Sequence, residues 1–285
     1  MDISTSTEYS LFFDTEGGLA STEGNFDREA YSRMKYGDKH ATKDFAEVIA
    51  QTLLDTHEDV VADSLSPAFV VAYKEVPPAC FYLSKYCLDL INPERERLGL
   101  EPGEIIRMYK GSVTASDYAK SSASDRAKEL DSIDFSFTDK RPGKRPVVVL
   151  DDIRISGGAE RKVLDVLAQE PVQPRIIHLG YIAIFDAQQA QSSPHVESEL
   201  NGSAIAKVTD LLPAIQDDNF DLNIRTLKMI LSSDQVELEQ FMHAIPEYLV
   251  DEIVSGAVMT GDDFLSQYDY GFDTIVQVAN ERGLL

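Results

Sequence analysis

The segment that most constrains this chain is VVVLDDIRISGGAE, residues Val147 to Glu160. Its four leading apolar residues, three of them β-branched, leave no polar side chain for a solvent-facing side. The strand they form is therefore expected to be covered on both faces, as an inner strand of a parallel sheet is when helices lie on either side. The strand runs into two adjacent carboxylates, Asp151 and Asp152. The chain then passes through Ser156, Gly157, Gly158 and Ala159 into residues of helical period. In open parallel sheets ligands sit beyond the carboxyl ends of the strands. Two neighbouring acids at such an end need hydroxyl donors, a cation or water around them. The small residues that follow let backbone amides at a helix start surround an anion. Carboxylates beside an amide cradle suit a phosphorylated sugar, with the acids on two ribose hydroxyls and the amides on the 5′-phosphate.

The surrounding pattern agrees with an α/β fold built on a central parallel sheet with flanking helices. PRIIHLGYIAIF, Pro174 to Phe185, supplies a second β run, so strand, helix and strand make a βαβ unit with a right-handed crossover. PAFVVAY, Pro67 to Tyr73, and EIIRMYK, Glu104 to Lys110, read as further strands. Phe45, Val48, Ile49, Thr52 and Leu53 recur at helical spacing between Ala41 and Leu54. Pro77–Pro78 open a helix expected over Ala79 to Ile91. Gly111 to Leu130 is Ser/Ala-rich and reads as a loop with a helical part. From about Pro213 the period is helical, with Ser232–Ser233–Asp234 as a stop and restart and an apolar stripe through Leu227, Ile230, Leu231, Leu238, Phe241, Ile245 and Leu249. The expected division is an N-terminal loop or hood-like segment over 1–40, an α/β domain over 41–210 and an α-helical C-terminal region over 211–285.

Composition narrows the function classes. The 285 residues are 43% hydrophobic, enough for a core, and their formal net charge of -23 opposes direct nucleic acid binding. DKRPGKRP, Asp139 to Pro146, gathers four of the 26 basic residues just before the opening strand, either as a solvated turn or as an attractant for a small anion. No run of 18 apolar residues and no basic-then-apolar leader is present, so a membrane or secreted protein is not expected and the cytoplasm is. Cys80 and Cys87 lie seven apart in one expected helix, roughly 10 Å along its axis, too far for a disulfide. The five histidines show no metal-ligand spacing, and no CxxC, GxSxG or GxxxxGK[ST] pattern occurs.

The Val147–Glu160 stretch resembles the 5-phosphoribosyl-1-pyrophosphate (PRPP) signature of the type I phosphoribosyltransferases. Val147, Val148, Val149 and Leu150 fill its apolar positions and Asp151–Asp152 its acidic pair, while Ser156, Gly157 and Ala159 match its small-residue loop. The resemblance implies Mg²⁺ bound with the pyrophosphate, and displacement of that pyrophosphate at the ribose anomeric carbon. It implies that Asp151 and Asp152 are the catalytic acids on the ribose hydroxyls. Ser156, Gly157, Gly158, Ala159 and Glu160 would hold the 5′-phosphate. Family members place pyrophosphate contacts on the turn after an earlier strand and on a loop that closes over the site. By that analogy Lys74, Tyr118, Lys120 and Arg126 are candidates, with Arg154 beside the signature. Lys35, with Arg33, is a candidate for the acceptor pocket.

Three departures stand out. Arg154 replaces an apolar residue, Ile155 stands where many members carry an acid or a hydroxyl, and Gly158–Ala159 lacks the hydroxyl often found at the loop's end. This variant is similar to phosphoribosyltransferase-like proteins of bacterial tellurite-resistance, stress and defence operons, retron-like ones included. The expected function is PRPP-dependent phosphoribosyl transfer to an unidentified nitrogen acceptor, with pyrophosphate release. The alternative is a catalytically silent PRPP or nucleotide sensor, or an interaction subunit of a defence complex. The expected partners are PRPP or another phosphorylated ribose and a protein of the same operon; self-association is left open.

Overall fold

The computed structural model describes residues 2–111, 133–192 and 195–284. Among these residues the strands are β1 (Asp2–Phe13), β2 (Leu19–Ser21), β3 (Ala68–Tyr73), β4 (Glu104–Lys110), β5 (Phe135–Ser136), β6 (Val147–Arg154) and β7 (Ile176–Phe185). They form a seven-stranded sheet in the order β2-β1-β7-β6-β3-β4-β5. The inner five run parallel, and the short edge strands β2 and β5 are antiparallel to their neighbours. This is the expected mostly parallel sheet with flanking helices, and helices fill the C-terminal part of the chain.

The chain divides into two compact units. The sheet belongs to the first, which comprises Met1–Asp27, Lys43–Tyr73 and Cys80–Glu197. Side chains alternate across each strand. Ala68, Val70, Ile106, Met108, Val147, Ile177, Leu179 and Tyr181 share one face with Val163 and Leu167 of the helix Gly158–Gln169. Phe69, Val71, Val148, Leu150 and Ile182 on the other face are at most 2% exposed. Both faces of β6 are therefore covered, as its apolar run requires. Gly180 makes the β6–β7 contact fit: it lies opposite Leu150, and a methyl group there would approach Leu150 Cδ2 to 2.6 Å.

β1 falls within the segment expected as loop. Its residues, DISTSTEYSLFF, are too polar to show an apolar period. Polar partners substitute for that period. Ser4 Oγ lies 2.9 Å from Nδ1 of the buried His178 and Ser6 Oγ lies 2.9 Å from its Nε2, while Thr52 donates to Glu8 at 3.1 Å. The His57 ring sits 4.0 Å from that of His178. Burial, and then the neighbouring His57, bring the His178 pKa down to about 4. The helix expected to stop near Ile91 runs over Ala79–Arg97 despite Pro93. Its last turn is anchored by Arg95, fully buried, whose guanidinium donates to the carbonyls of Val61, Asp63 and Glu101.

The second unit comprises Arg28–Thr42, Lys74–Ala79 and Ser198–Leu285. Its helices include Arg28–Lys35, Ile224–Leu231, Gln235–Ala244, Glu247–Thr260, Asp262–Gln267 and Asp269–Glu281. The stripe read from the sequence is its core: Leu227, Ile230, Leu231, Leu238, Phe241, Ile245 and Leu249 are all at most 2% exposed. Asp234 caps the restarted helix by accepting from the amides of Val236 and Glu237, each at 3.1 Å. No helix among the described residues is long and apolar enough to cross a membrane.

Candidate functional site

β6 sits at the point where the sheet changes direction. From β3 the chain moves outward to β4, and from β6 it moves the opposite way to β7. The two central strands pair only at Ala68↔Val147 and Phe69↔Val148. Beyond that, β3 stays with β4 as far as Tyr73↔Tyr109, and β6 stays with β7 as far as Arg154↔Ile184. The carboxyl halves of β3 and β6 thus part at the topological switch point, where doubly wound sheets bind their ligands.

Asp151 and Asp152 lie on the β6 side of this opening. They are still within the strand, which continues two residues past Asp152 to Arg154. Asp151 is in register with Tyr181, on the face covered by the helix Gly158–Gln169, so alternation sends Asp152 to the opposite face. Asp151 Oδ1 accepts the Asp152 amide at 2.9 Å, and Asp152 Oδ1 accepts the Ile153 amide at 2.6 Å. Asp152 is 7% exposed, and Asp151 is more open.

The turn after the strand has the expected form. Gly157 adopts φ +65°, a left-handed conformation that favours glycine, and is the N-cap of the 12-residue helix Gly158–Gln169. The first amides of a helix have no intrahelical acceptor, so those of Gly158, Ala159 and Glu160 lie at the positive end of the helix dipole. Ser156 and Ala159 are exposed, and Ile155 is partly buried. Glu160 is held in place: its Oε2 accepts from Tyr181 Oη at 2.6 Å and pairs with Arg154 Nε at 2.8 Å. Burial, then Glu160 and Asp151, push the Tyr181 phenol up, so it stays a proton donor. Arg161, one helical residue further, donates from Nη1 to the Ser156 carbonyl at 3.0 Å.

On β4, Arg107 stacks on two rings, 5.0 Å from the centroid of Tyr73 and 5.4 Å from that of Tyr109. Its Nε also donates to the Tyr73 carbonyl at 3.4 Å, so the guanidinium is held against β3. Residue-by-residue reading had singled out neither Arg107 nor Arg161 nor Tyr181. Register unites Tyr181 with Asp151 and side-chain reach brings Arg161 to Gly157, and the sequence trace of this is the basic pair Arg154 and Arg161 bracketing the small-residue loop.

Lys74 belongs to the second unit, where its ammonium donates to the Thr260 carbonyl at 2.6 Å. Lys35 is in the same unit, 7% exposed, with Nζ 5.9 Å from the centre of the Tyr31 ring, and Arg33 pairs with Glu29 at 3.6 Å. Tyr118, Lys120 and Arg126 lie outside the described residues. Among the described residues no group of three or more His, Cys, Asp or Glu converges as a metal-holding cluster. Mg²⁺ commonly keeps several waters and takes one or two carboxylates plus substrate phosphates. The site fits an ion carried by a pyrophosphate, with one of the two diverging acids as protein ligand.

Comparison with known proteins gives the family. A search of curated proteins produced no match. Solved structures similar to this chain include a hypoxanthine phosphoribosyltransferase from Staphylococcus aureus, at 12% identity and TM-score 0.30, covering 54% of this chain and 62% of that one. A hypoxanthine-guanine phosphoribosyltransferase of L. donovani is similar at 12% identity and TM-score 0.30, covering 52% of this chain and 70% of that one. An orotate phosphoribosyltransferase of Francisella tularensis is similar at 7% identity and TM-score 0.31, covering 82% and 90%. The chain thus spans about 62% of the length of the first of these. A family model described as PRTase ComF-like matches residues 8–272, nearly the whole chain and the entire sheet from Glu8 onward, and on that match the chain belongs to the PRTase ComF-like family.

Proposed function

We propose that this protein binds PRPP at the carboxyl end of β6 and transfers its phosphoribosyl group to a nitrogen acceptor, releasing pyrophosphate. One observation carries this reading: β3 and β6 part beside Asp151 and Asp152, with the Gly157 turn and its helix start directly after them in the chain. A ribose lying along the freed side of β6 meets the two acids from opposite faces of the strand. The hydroxyls then add donors to carboxylates that already accept the Asp152 and Ile153 amides. As pyrophosphate leaves, positive charge grows on the ring, and two nearby carboxylates stabilise it more than they stabilise the ground state. Mg²⁺ bound with the pyrophosphate supplies charge neutralisation of the leaving group.

Ile155 favours a second reading. It puts an apolar side chain where a proton carrier would stand, so the protein either takes an acceptor that needs no proton removed by this loop or binds PRPP without turnover, as a sensor. In either case the setting is a bacterial stress or defence system, with a protein partner from the same operon. Incubation with PRPP, Mg²⁺ and a panel of nucleobases and amines, read by pyrophosphate release, tests transfer. Release with one acceptor, abolished by the double variant Asp151→Asn/Asp152→Asn, supports the enzyme. PRPP binding with no release across the panel overturns transfer in favour of sensing.

A further inference from the structure

The loop that would cradle the 5′-phosphate has one hydroxyl, Ser156, and none at Gly157, Gly158 or Ala159. Two guanidinium groups approach the same place. A methyl group built on Gly157 would lie 3.3 Å from Arg154 Nε and 3.5 Å from Arg161 Nη1, so both side chains lean over the one residue whose left-handed backbone opens the loop. They are held differently. Arg154 is fixed by Glu160, which Tyr181 fixes in turn, both through Glu160 Oε2. Arg161 is exposed and meets a backbone carbonyl, that of Ser156, with no carboxylate opposite it among the described residues. A cation that faces only a carbonyl dipole, beside a helix start, in a chain of net charge -23, keeps most of its capacity for an anion.

Resting on the reading above, we infer that Arg154 and Arg161 form a guanidinium pair over Gly157 that takes the place of the loop's missing hydroxyl and selects ligands bearing a terminal phosphate dianion. Arg161 is the mobile arm, exchanging the Ser156 carbonyl for phosphate oxygens. Arg154 is the fixed arm, and Glu160 and Tyr181 are positioning residues for it. The planar fork of each guanidinium matches two phosphate oxygens, which a lysine does not reproduce. This accounts for the departure at residue 154, where an apolar side chain would leave Glu160 without its cation.

Calorimetry with two probes, ribose 5-phosphate and inorganic pyrophosphate with Mg²⁺, tests the pair on wild type, Arg154→Gln, Arg161→Gln and Arg161→Lys. Losing a charge-assisted contact weakens binding about ten- to a hundredfold. The expected result is a loss of that size for ribose 5-phosphate in both Gln variants, a smaller one in Arg161→Lys, and pyrophosphate affinity unchanged. Ribose 5-phosphate bound as in wild type by both Gln variants overturns the pair. Equal weakening of both probes overturns it too, since that reports general charge and not a fork. If wild type binds PRPP while the variants show either result, only the pair fails. If wild type binds no PRPP, the reading of the site falls with it.

Discussion

Asp151 stands across from Tyr181 in the β6–β7 ladder, on the face that Val163 and Leu167 cover, and Asp152 takes the other face. The two acids therefore differ in their load. Asp152 is buried and accepts the Ile153 amide, so Asp152→Ala leaves a buried donor without its acceptor, at a cost of about 1–3 kcal/mol. Asp151 is more open and its bond to the Asp152 amide is only partly buried, so Asp151→Ala is expected to cost less. Urea denaturation midpoints of the two variants check this, and equal losses would contradict the facing assigned to them.

His178 makes stability depend on acid. Its folded pKa of about 4 lies below the ordinary 6.5, so between these values the unfolded chain binds the proton and the folded chain does not. Stability is full above pH 6.5, falls as the pH drops toward 4, and gains no further loss from this group below that. The contribution is at most about 3 kcal/mol. Melts of wild type and His178→Asn across pH 4 to 7 are expected to show a flatter profile for the variant, and parallel profiles would count against it.

In the second unit, Gly271 lets the helix Asp269–Glu281 approach the end of Ile224–Leu231. A Cβ there would meet the Leu231 carbonyl oxygen at 1.9 Å, and backbone cannot swing aside as a side chain can. Gly271→Ala is expected to destabilise by about 1–3 kcal/mol or more. A thermal midpoint equal to wild type would show that these helices do not pack as described.

Gly157→Ala tests the turn itself. Its φ of +65° costs an L-residue roughly 1–2 kcal/mol, and the methyl would press on Arg154 Nε at 3.3 Å. Asn tolerates this backbone region better than Ala. Denaturation is expected to rank wild type above Gly157→Asn above Gly157→Ala, and the reverse order of the two variants would point to a different turn.

The apolar runs of β3, β6 and β7 were legible because burial on both faces demands such residues. The helix after Gly157 was legible through its small-residue entry. β1 was not, because Ser4 and Ser6 answer to a histidine 174 and 172 residues away, and no local period records such a partnership. The acids were legible as a pair but not their divergence, which depends on β6 keeping its ladder with β7 through Arg154. Nothing in the local pattern marks Arg161, since it is the left-handed turn at Gly157 that brings it back over the loop.

Titration calorimetry of the whole protein with PRPP and Mg²⁺ bears most directly on the site at the end of β6. Wild type is expected to bind with one ligand per chain, and Asp151→Asn/Asp152→Asn, still folded by circular dichroism, to show no heat of binding. Undiminished binding by that double variant, or none by wild type, would contradict the account.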